Sequence, residues 1–141
     1  MNILIADDYL ENRRFLYDLL LPFGSCDQAA NGLEAVDLVE ASLVEEIPYN
    51  LILLDIMMPV MDGQSALHAI RALEVEYGVA GAREAVIIMV TALDAPEAVT
   101  EAFYKGYCTD YIIKPFTRRV LLDKLKEYNL IPRDGPGGEK G

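Results

Sequence analysis

Five polar residues of complementary chemistry each follow a short apolar run. Asp7 and Asp8 follow Ile3-Leu4-Ile5-Ala6, Asp55 follows Leu51-Ile52-Leu53-Leu54, Thr91 follows Ala85 to Val90, and Lys114 follows Asp110-Tyr111-Ile112-Ile113. Taken singly, an acid after a strand is a helix cap or a solvated loop residue. As a set they are harder to dismiss. Three carboxylates brought within a few ångströms repel one another and call for a cation. Hard oxygen ligands, with no His or Cys nearby in sequence, select magnesium or calcium over zinc. Magnesium keeps phosphate oxygens as natural companions, and an ammonium and a hydroxyl can both bind the oxygens of a transferring phosphoryl group. A carboxylate can itself be the nucleophile, forming an aspartyl phosphate. Phosphoryl transfer asks mainly for positioning and charge neutralisation, which this set could supply.

For these residues to meet, the apolar runs must lie side by side. Short apolar runs alternate with longer amphipathic stretches throughout. After the first run, Leu16, Leu19, Leu20 and Phe23 recur at helical spacing until Pro22 and Gly24 end the segment. Residues 25–30 form a weak second strand, and Asn31-Gly32 supplies a turn. A helix is expected from Leu33 to about Glu46, with Ala35, Leu38, Val39 and Ser42 inward. A third is expected from Gln64 to about Tyr77, through Ala66, Leu67, Ile70 and Leu73. Pro96 suits the start of a fourth, carrying Val99, Ala102 and Phe103. Val120, Leu121, Leu125 and Tyr128 mark a fifth. Strict alternation of strand and helix argues an open parallel α/β sheet covered on both faces. Ligands of such sheets bind outside the carboxyl ends of the strands, where the five polar residues stand. The domain is expected to span residues 1–131, with residues 132–141 a disordered Gly/Pro-rich tail.

Composition narrows the partners. The 141 residues carry a net charge of −11, which argues against nucleic acid, because phosphate neutralisation needs clustered Lys and Arg. No signal peptide is evident and no apolar run approaches the ~20 residues of a membrane span, so a cytoplasmic location is expected. Cys26 and Cys108 match no metal or redox spacing and are expected to be idle thiols. His68, the sole histidine, is expected to be a surface or packing residue.

Four stretches together resemble the response-regulator receiver domain over about residues 2–129: Ala6-Asp7-Asp8, the run Leu53 to Gly63 (LLDIMMPVMDG), Val90-Thr91-Ala92, and Asp110 to Phe116 (DYIIKPF). The second is highly specific. The resemblance implies a flavodoxin-like sheet of order 2-1-3-4-5 with five helices. It implies that Asp55 accepts a phosphoryl group from a phosphohistidine on a sensor histidine kinase or phosphotransfer protein. It further implies magnesium held by Asp8 and Asp55, with Asp7 acting through water and the backbone carbonyl of Met57 completing the protein ligands. Thr91 would follow the phosphoryl oxygens, Lys114 would pair with them, and Tyr111 matches the aromatic switch position. Lys114-Pro115 would be cis. A downstream protein would bind the face formed by the fourth helix, fifth strand and fifth helix. The chain would thus be a phosphoacceptor switch, catalysing only its own phosphoryl transfer and autodephosphorylation. Departures include a stretch from Tyr77 to Glu84 that is longer than usual, and Tyr107 where the family often has a small residue. Met57 and Leu93 flank the acceptor as apolar residues. A magnesium-dependent hydrolase with its nucleophile after strand 1 would carry a second Asp two residues on, whereas Asp8 is followed by Tyr9-Leu10.

Overall fold

The computed structural model describes residues 1–92 and 107–133. Five strands, β1 (Asn2–Ala6), β2 (Ser25–Ala29), β3 (Leu51–Asp55), β4 (Val86–Thr91) and β5 (Asp110–Ile113), form one parallel sheet of order β2-β1-β3-β4-β5. Among the described residues four α-helices join them: α1 (Leu10–Leu20), α2 (Gly32–Val44), α3 (Gly63–Glu76) and α4 (Arg118–Glu127). The helix expected from Pro96 falls outside the described residues, so α4 corresponds to the fifth of the sequence reading. The expected tail falls outside them too, save Pro132 and Arg133.

The period of two along each strand divides the interior into two cores. Leu4, Ile52, Leu54, Ile87 and Met89 turn toward α2 and α3, whose Ala35, Val39, Ala66, Leu67 and Ile70 meet them. Ile3, Ile5, Leu51, Leu53 and Ile88 turn the other way, onto Leu16, Leu20, Leu121 and Leu125 of α1 and α4. Each fully buried Leu or Ile contributes roughly 1.5–3 kcal/mol relative to exposure. β3, central and buried along its whole length, is therefore the most firmly held element and ends at Asp55.

The turns that reverse the chain are held by side-chain caps. Asn31 Oδ1 accepts from Glu34 N–H at 2.8 Å, while Glu34 Oε1 accepts from Ala30 N–H at 2.7 Å. Asp62 and Thr117 cap α3 and α4 in the same manner. Three details of the expected elements are refined. Val120 is 43% exposed, Tyr128 stands just past the end of α4, and Thr91 lies inside β4 rather than beyond it.

Candidate functional site

The parallel register brings the ends of β1, β3, β4 and β5 to one edge. Asp7, leaving β1, is buried and bonded on both carboxylate oxygens. Its Oδ1 accepts from Tyr9 N–H at 2.9 Å; its Oδ2 accepts from Asn12 Nδ2 at 3.3 Å and from Lys114 Nζ at 3.4 Å. Asp8 is exposed, and among the described residues no hydrogen bond or ion pair engages its carboxylate. Asp55 is 6% exposed. Its Oδ1 accepts from Met57 N–H at 3.1 Å and its Oδ2 from Lys114 Nζ at 2.9 Å. Asp7, Asp8 and Asp55 each offer one oxygen, all within 4.8 Å of one another.

Lys114 arrives from β5. Its N–H donates to Thr91 carbonyl oxygen at 2.7 Å, and the bond to Pro115 is cis, as expected. Thr91 is buried, and its hydroxyl donates to Ala92 carbonyl oxygen at 3.1 Å rather than reaching the carboxylates. Tyr111 stands in β5 with 36% exposure and its N–H donates to Asp110 Oδ1. Met57 turns its thioether outward, 69% exposed, while Leu93 lies outside the described residues.

The β3–α3 loop is closed on itself. Ile56 N–H reaches Val90 carbonyl oxygen, and Gly63 N–H returns to Ile56 carbonyl oxygen at 2.8 Å. A Cβ at Gly63 would collide with the carbonyl oxygen of Asp55, and one at Gly32 with that of Met61.

The electrostatics of this cluster are unbalanced. Burial pushes the Asp55 carboxyl above the ordinary carboxylate range; Asp7 adds to the effect, and Lys114 opposes it without prevailing. Burial disfavours the Lys114 ammonium, but the carboxylates of Asp55 and Asp7 outweigh it and raise its pKa. One ammonium thus serves two buried carboxylates with a third beside them. The donor set is all hard oxygen, in excess of its single cation among the described residues, and it fits a magnesium ion.

Asn12 and Arg13 were not singled out from the sequence. Arg13 Nη1 donates to Asp7 carbonyl oxygen at 2.7 Å, so α1 braces the end of β1 at two points. Their position one turn into the helix after the acid pair was the available signal. A second polar cluster also went unread: Asp110 Oδ2 accepts from Lys124 Nζ at 2.8 Å and from Tyr128 hydroxyl at 2.7 Å. His68, expected at the surface or in packing, is exposed, its ring 4.3 Å from that of Tyr107.

The response regulator receiver domain model matches residues 3–126. The chemotaxis protein CheY of Halobacterium salinarum is 32% identical over 126 residues, covering 89% of this chain and 93% of that protein. CheY-3 of Vibrio cholerae is 33% identical over 127 residues, covering 89% and 88%. Hybrid signal transduction histidine kinase I of Dictyostelium discoideum is 33% identical over 124 residues, 87% of this chain but 7% of that protein's length. Among solved structures, a chain of the CheX–CheY complex with BeF3 and Mg2+ from Borrelia burgdorferi superimposes with a TM-score of 0.75 at 29% identity, covering 90% of this chain and 87% of that one. A chain of the Saccharomyces cerevisiae co-crystal of the histidine phosphotransfer protein Ypd1 with the Ssk1 receiver domain also gives 0.75 at 29%, covering 91% and 88%.

Proposed function

The chain belongs to the response regulator receiver domain family, and from that premise we propose that it is a phosphoacceptor switch in which Asp55 takes a phosphoryl group from a phosphohistidine. The observation that carries the reading is the contact of Lys114 Nζ with Asp55 Oδ2 at 2.9 Å, with Asp7 and Asp8 beside it. A carboxylate oxygen of Asp55 attacks phosphorus as the phosphorus–nitrogen bond of the donor breaks, the electron pair leaving on the imidazole nitrogen. Lys114 is held by both carboxylates and needs little movement to pair with phosphoryl oxygens. Asp8, Asp55 and the Met57 carbonyl are the residues that would hold magnesium, with Asp7 acting through water. Bound there, the ion would neutralise charge on the carboxylates and on the phosphoryl group. Asp7, fixed by Tyr9 N–H and Asn12, holds the lysine in line while that charge develops.

The readout follows from two states of unequal affinity for the phosphoryl group. The Thr91 hydroxyl, now on Ala92 carbonyl oxygen, exchanges that partner for a phosphoryl oxygen, and Tyr111 turns inward from the β5 surface. The surface so altered, β5 with α4, is where a downstream protein binds; the fourth helix of the expected face lies outside the described residues. The upstream partner is a sensor histidine kinase or phosphotransfer protein. Residues 1–131 act as the receiver unit, working in the cytoplasm. Among the described residues no helix is long and apolar enough to cross a membrane.

Incubation with radiolabelled acetyl phosphate and magnesium tests the acceptor. Labelling is expected in the parent and is expected to vanish in Asp55→Asn with the fold intact. Equal labelling of the two would overturn the assignment.

A further inference from the structure

The opposite edge of the sheet carries a surface that phosphoryl transfer does not use. There α2 runs through residues 45–50 into β3, and α3 runs through residues 77–85 into β4. Between the two helix ends lies a groove of about 590 Å³, larger than the 230 Å³ hollow beside Asp7 and Lys114. Leu43, Val44 and Pro48 form one wall, Tyr77 and Val79 the other. Val44 is 62% exposed and Tyr77 39%, a pair of large apolar side chains left facing water.

The second wall is built rather than loose. Val79 N–H returns to Glu74 carbonyl oxygen at 2.8 Å, and Arg83 Nη2 donates to Gly78 carbonyl oxygen at 2.7 Å. Ala85 N–H donates to Glu74 Oε2 at 2.8 Å, and Glu74 is itself held by Arg71 at 2.7 Å. Gly78 and Gly81, at φ +72° and +63°, allow the chain to double back without strain. The long 77–84 stretch therefore presents a preformed face.

The charge around it is mostly acidic. From residue 15 to residue 70 there is no lysine or arginine against nine acids, so this stretch holds most of the net charge of −11. Exposed Glu40, Glu45 and Glu46 stand at the end of α2, and Glu76 at the end of α3. Glu40 and Glu76 lie close enough to Tyr77 to act on its hydroxyl. Helix C-termini carry partial negative charge and favour cations. Yet neither α2 nor α3 has a basic residue in its last turn, whereas α4 has Lys124 and Lys126. Among the described residues Arg83 is the one cation lining the groove, and its guanidinium is turned to Gly78.

We propose that this groove docks a cationic segment of a partner protein, an apolar side chain entering it beside Val44 and Tyr77 while lysines or arginines meet Glu40, Glu45, Glu46 and Glu76. Apolar contact supplies the buried centre and the acids supply steering and register. An anionic membrane or a nucleic acid is repelled by the same charge. A second copy of this chain offers α4 as a basic element, but there Lys124 is committed to Asp110.

The test is a titration of the ¹⁵N-labelled protein with a short synthetic peptide of lysine and leucine at helical spacing, against a control in which serine replaces each leucine. Shifted amides are expected to concentrate at residues 43–48 and 76–84, with the leucine peptide binding about tenfold tighter than the control. Val44→Asp and the double substitution Glu45→Lys, Glu46→Lys, all at exposed positions, are each expected to weaken binding by a similar factor of about ten. Equal affinity for the two peptides would reduce the groove to a diffuse charge effect and overturn the proposal. So would shifts centred on Asp7, Asp8 and Asp55, unchanged affinity in the variants, or concentration-dependent shifts of the same residues without peptide, which would make the occupant a second copy.

Discussion

Two lysine–aspartate pairs of nearly equal length sit within one molecule, Lys114–Asp55 at 2.9 Å and Lys124–Asp110 at 2.8 Å, and their carboxyl groups respond in opposite directions. Burial alone would raise Asp110, but Lys124, the Tyr128 hydroxyl and the Tyr111 N–H together hold it below the usual carboxylate range. Asp55 is raised, because burial is joined by a second carboxylate and answered by a lysine that it must share with Asp7. The Lys124–Asp110 pair is saturated, its carboxylate held by a lysine, a hydroxyl and an N–H. The Lys114–Asp55 pair is, among the described residues, short of one cation. Contact distance therefore says little about what a buried ion pair does; the count of donors against carboxylates says more.

Removing either aspartate should separate the two roles most sharply. Asp110→Ala strands a lysine and a tyrosine hydroxyl, and a loss of about 1–3 kcal/mol is expected in urea unfolding. Asp55→Ala relieves crowding, and a change below about 0.5 kcal/mol, or a gain, is expected. Comparable losses in both would erase the distinction.

Magnesium should then act on one pair alone. At about ten times its dissociation constant the ion should stabilise the parent by about 1.4 kcal/mol. Asp110→Ala should keep that increment and Asp8→Ala should lose it, as read by thermal unfolding with and without the metal. An unchanged increment in Asp8→Ala would remove that residue from the ligand set.

The smallest effect is on pH dependence. Since the folded pKa of Asp110 is lowered, the unfolded chain binds the proton more readily, and stability rises with pH through that window. The contribution is present above the ordinary carboxylate pKa of about 3.9 and disappears as pH falls through the lower folded value. Tyr128 has the opposite sense: burial and the Asp110 carboxylate raise its pKa, so its contribution holds below pH ~10 and fails as pH climbs toward the higher folded value. The stability gap between parent and Asp110→Asn should accordingly narrow on acidification below pH ~4, and that between parent and Tyr128→Phe only above pH ~10. A gap to Asp110→Asn that is constant from pH 6 to 3 would contradict the first.

These two clusters were not equally legible in the sequence. Asp7, Asp8, Asp55 and Lys114 each close a short apolar run, and the rule that parallel strands end together at one edge is enough to collect them. Asp110 opens its strand instead, and its partners are Lys124 in α4 and Tyr128 just past its end, which reads as one more apolar marker. Nothing local says that its hydroxyl turns to a carboxylate 18 residues away. Thr91 was found, but the orientation of its hydroxyl toward Ala92 depends on a backbone path that spacing does not encode. The groove between α2 and α3 was less accessible still, for it exists only once two loops far apart in sequence have folded back beside each other. The helix expected from Pro96 lies outside the described residues.

The two glycines that open α2 and α3 have a consequence for how this sequence can vary. Gly32 gives up its side-chain space to the Met61 carbonyl and Gly63 gives up its own to the Asp55 carbonyl, so the loop between them is gripped from both sides. Gly32 is far from the acceptor in sequence and has no chemistry of its own. Yet a side chain there would push on the Met61 carbonyl, in the loop that runs from Asp55 to Gly63. Along this loop, the tolerance of a position to change measures how tightly the chain is threaded, and a run that reads as a signature of chemistry is equally a record of clearance.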